Sequence, residues 1–174
     1  MTILRILAYP DSKLKRVAKK VDKIDSRIKQ IIADMFETHY NAKDCAALAA
    51  TQLDMPDPPY ITVIDFSPRK DQPLCLINAE IIERVGAHKE PEGCMSVFPD
   101  HIHASVTRSK EITVKYLDES GKEQTLKAEG FMAKCIQHEL DHLNGTIYID
   151  HLSRLKRALV EKKINMAITS VKKR

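Results

Sequence analysis

Two imidazoles four positions apart constrain this chain more than any other feature in it. In His138-Glu139-Leu140-Asp141-His142 a helix places positions i and i+4 on one face, so both rings point at a single ion and Glu139 stands between them as a base for water. That face has to turn inward, toward further ligands. A catalytic metal site keeps one coordination position open beyond three protein ligands, and the residue best placed to complete the set is Cys94. It sits in Glu92-Gly93-Cys94-Met95-Ser96, after a proline-containing turn and ahead of a stretch that reads as extended. One thiolate and two imidazoles suit zinc, iron(II), cobalt or nickel. An HExxH string also arises by chance, and a lone cysteine is more often a small buried apolar group than a ligand, so the flanking sequence has to decide.

Gln137 precedes the first histidine and Asn144-Gly145 closes the helix after the second; upstream lies Leu48-Ala49-Ala50-Thr51-Gln52. With the Glu-Gly-Cys-Met-Ser run, these blocks closely resemble, in order and separation, the three motifs of peptide deformylase. That family removes the formyl group from the N-terminal methionine of new bacterial polypeptides. The resemblance extends from Ile3-Leu4-Arg5-Ile6-Leu7 and Tyr9-Pro10-Asp11, through Ile61-Thr62-Val63-Ile64-Asp65 and Leu76-Ile77-Asn78, to a terminal helix, and so covers nearly the whole chain. It implies that Cys94, His138 and His142 hold one divalent metal, iron(II) natively, with zinc, nickel or cobalt as substitutes. It implies Glu139 as the base, and the Gln52 side chain and Met95 backbone N–H as oxyanion donors. Ala47, Leu48, Glu92, Phe131, Lys134 and Cys135 are the expected substrate contacts, and N-formylmethionyl nascent peptides the expected substrates.

The chemistry follows from those residue types. A divalent metal lowers the pKa of a coordinated water toward ~7, Glu139 takes the proton, and each donor to the tetrahedral oxyanion is commonly worth about 2.7–4 kcal/mol. Glu139 then donates to the leaving amine, and the products are formate and a free N-terminal methionine. A deformylase-like metalloprotein with altered or lost substrate activity is the alternative reading. An unrelated HExxH peptidase is disfavoured, because its third ligand would be a cysteine from an upstream loop.

The chain also departs from the family pattern. Cys45-Ala46-Ala47 stands where deformylases usually carry Gly-apolar-Gly, and glycine there would permit φ > 0 or close approach of a ligand. Cys45 is a pocket-wall residue or an additional ligand; Cys135, three residues before His138, is a packing residue or a ligand. The segment from Val97 to Arg108 is about two residues longer than usual. Within it His101-x-His103 reads as loop or surface in preference to a second metal site. Asp141 is either a helix-surface acid or a partner of Arg108, and Glu92 either orients its motif or merely occupies a turn.

At 174 residues the chain is expected to be one catalytic domain spanning 1–174, burying roughly 70% of its unfolded surface. Four cysteines, no signal peptide and no long apolar run point to a reducing cytoplasm and no membrane partner; a monomer is the expected state. Periodicity predicts a helix from Ser26, as N-cap, to Tyr40. Strands are expected at 60–66, 74–78, 111–117 and 124–128, and the metal helix from about Gly130, with Phe131, Cys135, His138 and His142 along one buried face. Helices and strands do not strictly alternate, so the expected class is α+β: mostly antiparallel sheets around a central metal-binding helix.

Residues 151–174 are expected to form a basic amphipathic helix. Eight Lys/Arg against Glu161 give 8 − 1 = +7, while the whole chain is +4. Leu152, Leu155, Leu159, Ile164, Ile168 and Val171 are its expected apolar stripe. The cationic face is either simply solvated or, as in similar deformylases that meet nascent chains, a ribosome contact.

Overall fold

The computed structural model describes residues 2–97 and 102–172. Phe98, Pro99, Asp100 and His101, which hold much of the lengthened segment, lie outside the described residues, as do Lys173, Arg174 and the Val171 side chain.

Helix α1 (Ser26–Asn41) presents Ile28, Ile32, Met35 and His39 to the core at i, i+4, i+7 and i+11. Its N-cap is Asp25 and not the expected Ser26: the Asp25 carboxylate accepts from the Ile28 N–H at 2.9 Å, satisfying an otherwise orphaned donor of the first turn. Strands β1 (Ala47–Ala49), β2 (Ile61–Ile64) and β3 (Leu74–Val85) follow, then β4 (His88–Glu92), β5 (Ala104–Arg108), β6 (Glu111–Leu117) and β7 (Glu123–Glu129). One sheet has the order β1-β2-β3-β6-β7, and β4-β5 form a separate ribbon. Every pairing is antiparallel. The α+β class with mostly antiparallel sheets is thus the class observed.

No strand is expected from the sequence at β1, β4 or β5, and β2 and β3 differ from their expected spans. β3 runs seven residues past Asn78 because the ladder with β6 tolerates irregularities between Ile77 and Glu80 and between Ile81 and Glu83. Asn78 supplies the first break: it adopts φ 54°, a conformation asparagine tolerates, and its amide exchanges two hydrogen bonds with the Val21 backbone at 2.9 and 2.7 Å. β1, Ala-Leu-Ala, carries no β-branched residue and is held extended by pairing with Thr62, Val63 and Ile64.

Helix α2 (Gly130–Leu143) packs against β1, β2 and β7, and ends at Asn144 with Gly145 at φ 73°. A Cβ on Gly145 would meet the Lys15 carbonyl oxygen at 2.5 Å, so glycine is required both by φ and by space. Helix α3 (Arg154–Lys172) buries Val160 and Ile164, with Leu152 and Ile168 packed partly against the same cluster. The expected stripe is corrected at its start: Leu155 and Leu159 are 73% and 55% exposed, because the inward face passes through Arg157, Val160 and Ile164. Arg157 turns in to pair with Asp150 at 2.8 Å and Glu161 at 2.9 Å, and leaves the outer cationic face.

The apolar interior has two parts. The larger joins α1, the five-stranded sheet and α2; the smaller joins Cys94, Val97, Ile102 and Val106 to Ile147, Tyr148, Ile149 and α3. Among the described residues, no helix is long and apolar enough to cross a membrane.

His39 is fully buried in the larger part, stacked on Tyr40 with ring centroids 5.0 Å apart. Burial, assisted by the Lys70 charge and opposed by Asp65, pushes its pKa down to about 4. A depressed histidine stays neutral in the folded chain while the unfolded chain protonates, so stability is complete above ~6.5 and drains away as pH falls toward ~4. The His39→Leu variant is expected to lose less stability between pH 7 and pH 4.5 than the parent, by about 3 kcal/mol at most. Urea midpoints at the two pH values measure the difference, and parallel losses would remove His39 as the cause.

Candidate metal centre

The two parts of the interior meet where Cys94 faces α2. Cys94 Sγ lies 3.1 Å from His142 Nε2, which lies 3.2 Å from His138 Nε2, and the three ligand atoms fall within 4.8 Å of one another. A tetrahedral ion with bonds of about 2.0–2.3 Å would hold such atoms about 3.3–3.7 Å apart, so only small relaxation is needed to fit one. One soft sulfur and two ring nitrogens, each aimed at a common centre, match the donor set of a divalent transition metal.

A second partner fixes the His138 ring, whereas His142 Nδ1 has no hydrogen-bond partner among the described residues. His138 Nδ1 lies 2.6 Å from Glu92 Oε1, which leaves Nε2 toward the cluster. Both Glu92 oxygens are shared with a buried Arg108, whose Nη2 and Nε donate at 2.7 and 3.0 Å. Burial works to raise the Glu92 carboxyl, but hydrogen bonds from His138 and Arg108 hold it down at about 2. Arg108 Nη1 continues the chain to Asp141 Oδ2 at 2.5 Å, and His151 Nε2 meets the same oxygen at 2.6 Å. The two open readings thereby resolve toward partnership with Arg108, buried for Glu92 and half-buried for Asp141. On the His142 side, Thr51 Oγ1 donates to the His142 carbonyl at 2.7 Å and ties the helix to the turn after β1.

Glu139 is buried, lines the cavity beside the cluster, and its Oε2 has no hydrogen-bond partner among the described residues. Burial pushes its carboxyl up to about 7, the range in which a proton can be both taken and returned. The Gln52 amide is held in register: Oε1 accepts from the Ala49 N–H at 2.9 Å, and Nε2 donates to Ser96 Oγ at 3.1 Å, 3.7 Å from Cys94 Sγ. Its donor end therefore faces the cluster.

The cavity of about 410 Å³ opens from the cluster and is also walled by Cys45, Ala47, Met95, Phe131, Lys134 and Cys135. Of the expected substrate contacts, Ala47, Glu92, Phe131, Lys134 and Cys135 line it; Leu48 is fully buried in β1 behind it. Phe131 departs from the predicted buried face, being 50% exposed at the rim, edge-on to Phe66 with centroids 4.9 Å apart. Cys45 and Cys135 belong to the wall and not to the three-atom cluster. Cys45 donates to the Ala47 carbonyl at 3.3 Å, and burial, with help from Glu139, pushes its thiol up to about 12.

His103, read from sequence as loop or surface, is an exposed loop residue that also lines this cavity; a Cβ on Gly93 would meet its ring at 2.8 Å. Neither Cys45 nor Ala47 has a positive φ; Asp44 takes that role at 54°. The missing glycines thus leave no backbone strain at those two positions, and their effect lies in side-chain volume alone.

A small α+β fold with a two-histidine helix, a loop cysteine and a carboxylate between the histidines defines a metal-dependent hydrolase. The Polypeptide deformylase profile matches residues 3–158, and the chain belongs to the peptide deformylase family. Over 162 residues, 93% of this chain and 95% of the relative, it is 59% identical to peptide deformylase 1 of Coxiella burnetii. It is 48% identical to the peptide deformylase of Nitrosococcus oceani over 94% of this chain and 95% of that one. The crystal structure of a peptide deformylase from Legionella pneumophila superimposes with a TM-score of 0.89 at 36% identity, covering 99% of both chains. That of Ehrlichia chaffeensis peptide deformylase in complex with actinonin gives 0.85 at 34%, covering 96% of this chain and 98% of the other.

Proposed function

We propose that this protein hydrolyses the N-formyl group of formyl-methionyl nascent peptides, with Cys94, His138 and His142 holding the metal, Glu139 as acid and base, and Gln52 and the Met95 N–H as oxyanion donors. The convergence of the three ligand atoms beside a buried carboxylate with one oxygen, Oε2, left without a partner among the described residues carries this reading. A divalent ion held there supplies Lewis acidity, which makes water a competent nucleophile near neutral pH. Glu139 takes the proton of the attacking water and returns it to the departing amine nitrogen. Gln52, whose amide is oriented by Ala49 and Ser96, can turn the Nε2 hydrogen now facing Cys94 Sγ toward the oxygen that gains charge. β1 is an edge strand beside the cavity, which suits an extended peptide. Iron(II) is the ion we assign, on the soft sulfur and two imidazoles together with family membership. Formate release from formyl-Met-Ala-Ser by anaerobically iron(II)-loaded protein is the test; no release with any of iron(II), nickel or cobalt would refute it.

The wall at Ala47 permits a narrower expectation. Because no φ > 0 is needed there, Ala47→Gly removes one methyl from the cavity and costs about 0.5–1 kcal/mol of stability through added backbone freedom. Turnover of formyl-Met-Ala-Ser should be unchanged or faster, with a lower thermal midpoint. Slower turnover would mean that the methyl helps to place the substrate.

The ribosome is the partner we assign to α3, whose Lys162 and Lys163 are exposed on a helix with few acids. Deleting residues from 160 on would remove buried Val160 and Ile164 and expose the smaller core they cover, so charge reversal is the cleaner test. Lys162→Glu with Lys163→Glu should weaken cosedimentation with ribosomes, more at low salt than at high. Undiminished binding would remove this helix as the tether.

A further inference from the structure

One residue in the cavity wall is out of keeping with a pocket built only for a thioether. Lys134 lies one helical turn before His138, about 6 Å along the axis. Lys134 and Phe131 wall the same cavity that Cys94, His138 and Glu139 line. The Lys134 side chain is 18% exposed, and its ammonium stands 5.6 Å from the centroid of Phe131. The ammonium donates to Glu90 Oε2 at 3.2 Å, long for a charge-assisted bond, and that acid is 51% exposed. An ammonium has three hydrogens, and a weak, solvent-screened partner leaves it able to serve a second acceptor.

Building on the deformylase reading, we propose that this cavity accepts formyl-methionine sulfoxide at the peptide N-terminus as well as formyl-methionine, with the Lys134 ammonium donating to the sulfoxide oxygen. Oxidation converts an apolar side chain into one with a strong acceptor, and burying that acceptor unpaired against apolar walls would exclude it. Phe131 offers the apolar surface for the methyl end, and Lys134 the donor for the oxygen. The sulfoxide takes no part in the reaction and no electrons are exchanged. Water's oxygen leaves in formate, the C–N bond breaks, and the nitrogen departs as the free amine.

The test compares kcat/KM for formyl-Met-Ala-Ser with that for its methionine sulfoxide counterpart in the same metal-loaded preparation. The parent is expected to prefer the unoxidised peptide by tenfold or less. Lys134→Met should enlarge that preference about tenfold, equivalent to about 1.4 kcal/mol, whereas Lys134→Arg should keep it near the parent value. Glu90→Gln, which alters the partner of the ammonium and leaves the cavity wall in place, should shrink the preference and serves if Lys134→Met fails to fold. A preference unmoved by both Lys134→Met and Glu90→Gln would overturn the proposal, as would a parent that rejects the sulfoxide by more than a hundredfold. Failure on the unoxidised peptide would instead count against the deformylase reading itself.

Discussion

Glutamine in place of Glu139 is expected to lower formate release by about a hundred- to ten-thousand-fold, the range usual for loss of a positioned general acid and base. The substitution keeps size and shape, so the packing of α2 and the neighbouring histidines is preserved. What it removes is the ability to take a proton. Glu139 is buried, its Oε2 has no other partner among the described residues, and burial brings its carboxyl up to about 7. An amide can neither accept the proton of an attacking water nor return it to the amine. Since the carboxylate is outside the three-atom cluster, metal content should match the parent. Elemental analysis beside the steady-state assay separates the two effects. A variant with full metal and more than a tenth of parental kcat would show that another group moves the proton.

The parts of this site legible in the sequence are those whose geometry is local. His138, Glu139 and His142 share one helix, so the 3.6-residue period alone places them. Cys94 could be nominated from its turn, but its approach to within 3.1 Å of His142 depends on where the smaller core packs against α2, which no local pattern encodes. The run from His138 through Glu92, Arg108 and Asp141 to His151 joins α2, β4, β5 and the turn before α3. Sequence could offer Arg108 and Asp141 only as an open pairing, since thirty-three residues separate them. β1 escaped because Ala-Leu-Ala has no intrinsic strand preference and gains its form from β2. α3 misled in a different way: leucines at 155 and 159 complete a plausible stripe, yet Arg157 is drawn inward by Asp150 and Glu161 and the packed face rotates to Val160 and Ile164. Exposed Leu155 and Leu159 are the consequence.

Removing the thiolate should have the second large effect, and its size relative to a change at Glu92 tests how the centre is organised. Cys94→Ala takes away one of three proposed ligands, leaving two neutral imidazoles that hold a divalent ion far less tightly. Glu92→Gln keeps all three ligands but weakens the carboxylate that fixes His138, a change that typically costs 10–100-fold in metal affinity. Chelator competition should therefore rank the parent above Glu92→Gln, and Glu92→Gln above Cys94→Ala, whose loss should exceed a hundredfold and abolish formate release. Stability need not follow that order. Cys94 is small, so alanine leaves little void, whereas Glu92→Gln leaves a buried Arg108 with only the half of its pairing that runs to Asp141. Thermal unfolding of the metal-free proteins should accordingly show Glu92→Gln as the less stable variant. Equal metal affinity for Cys94→Ala and parent would mean that the sulfur is a packing group of the smaller core, and the two histidines would then need another third ligand.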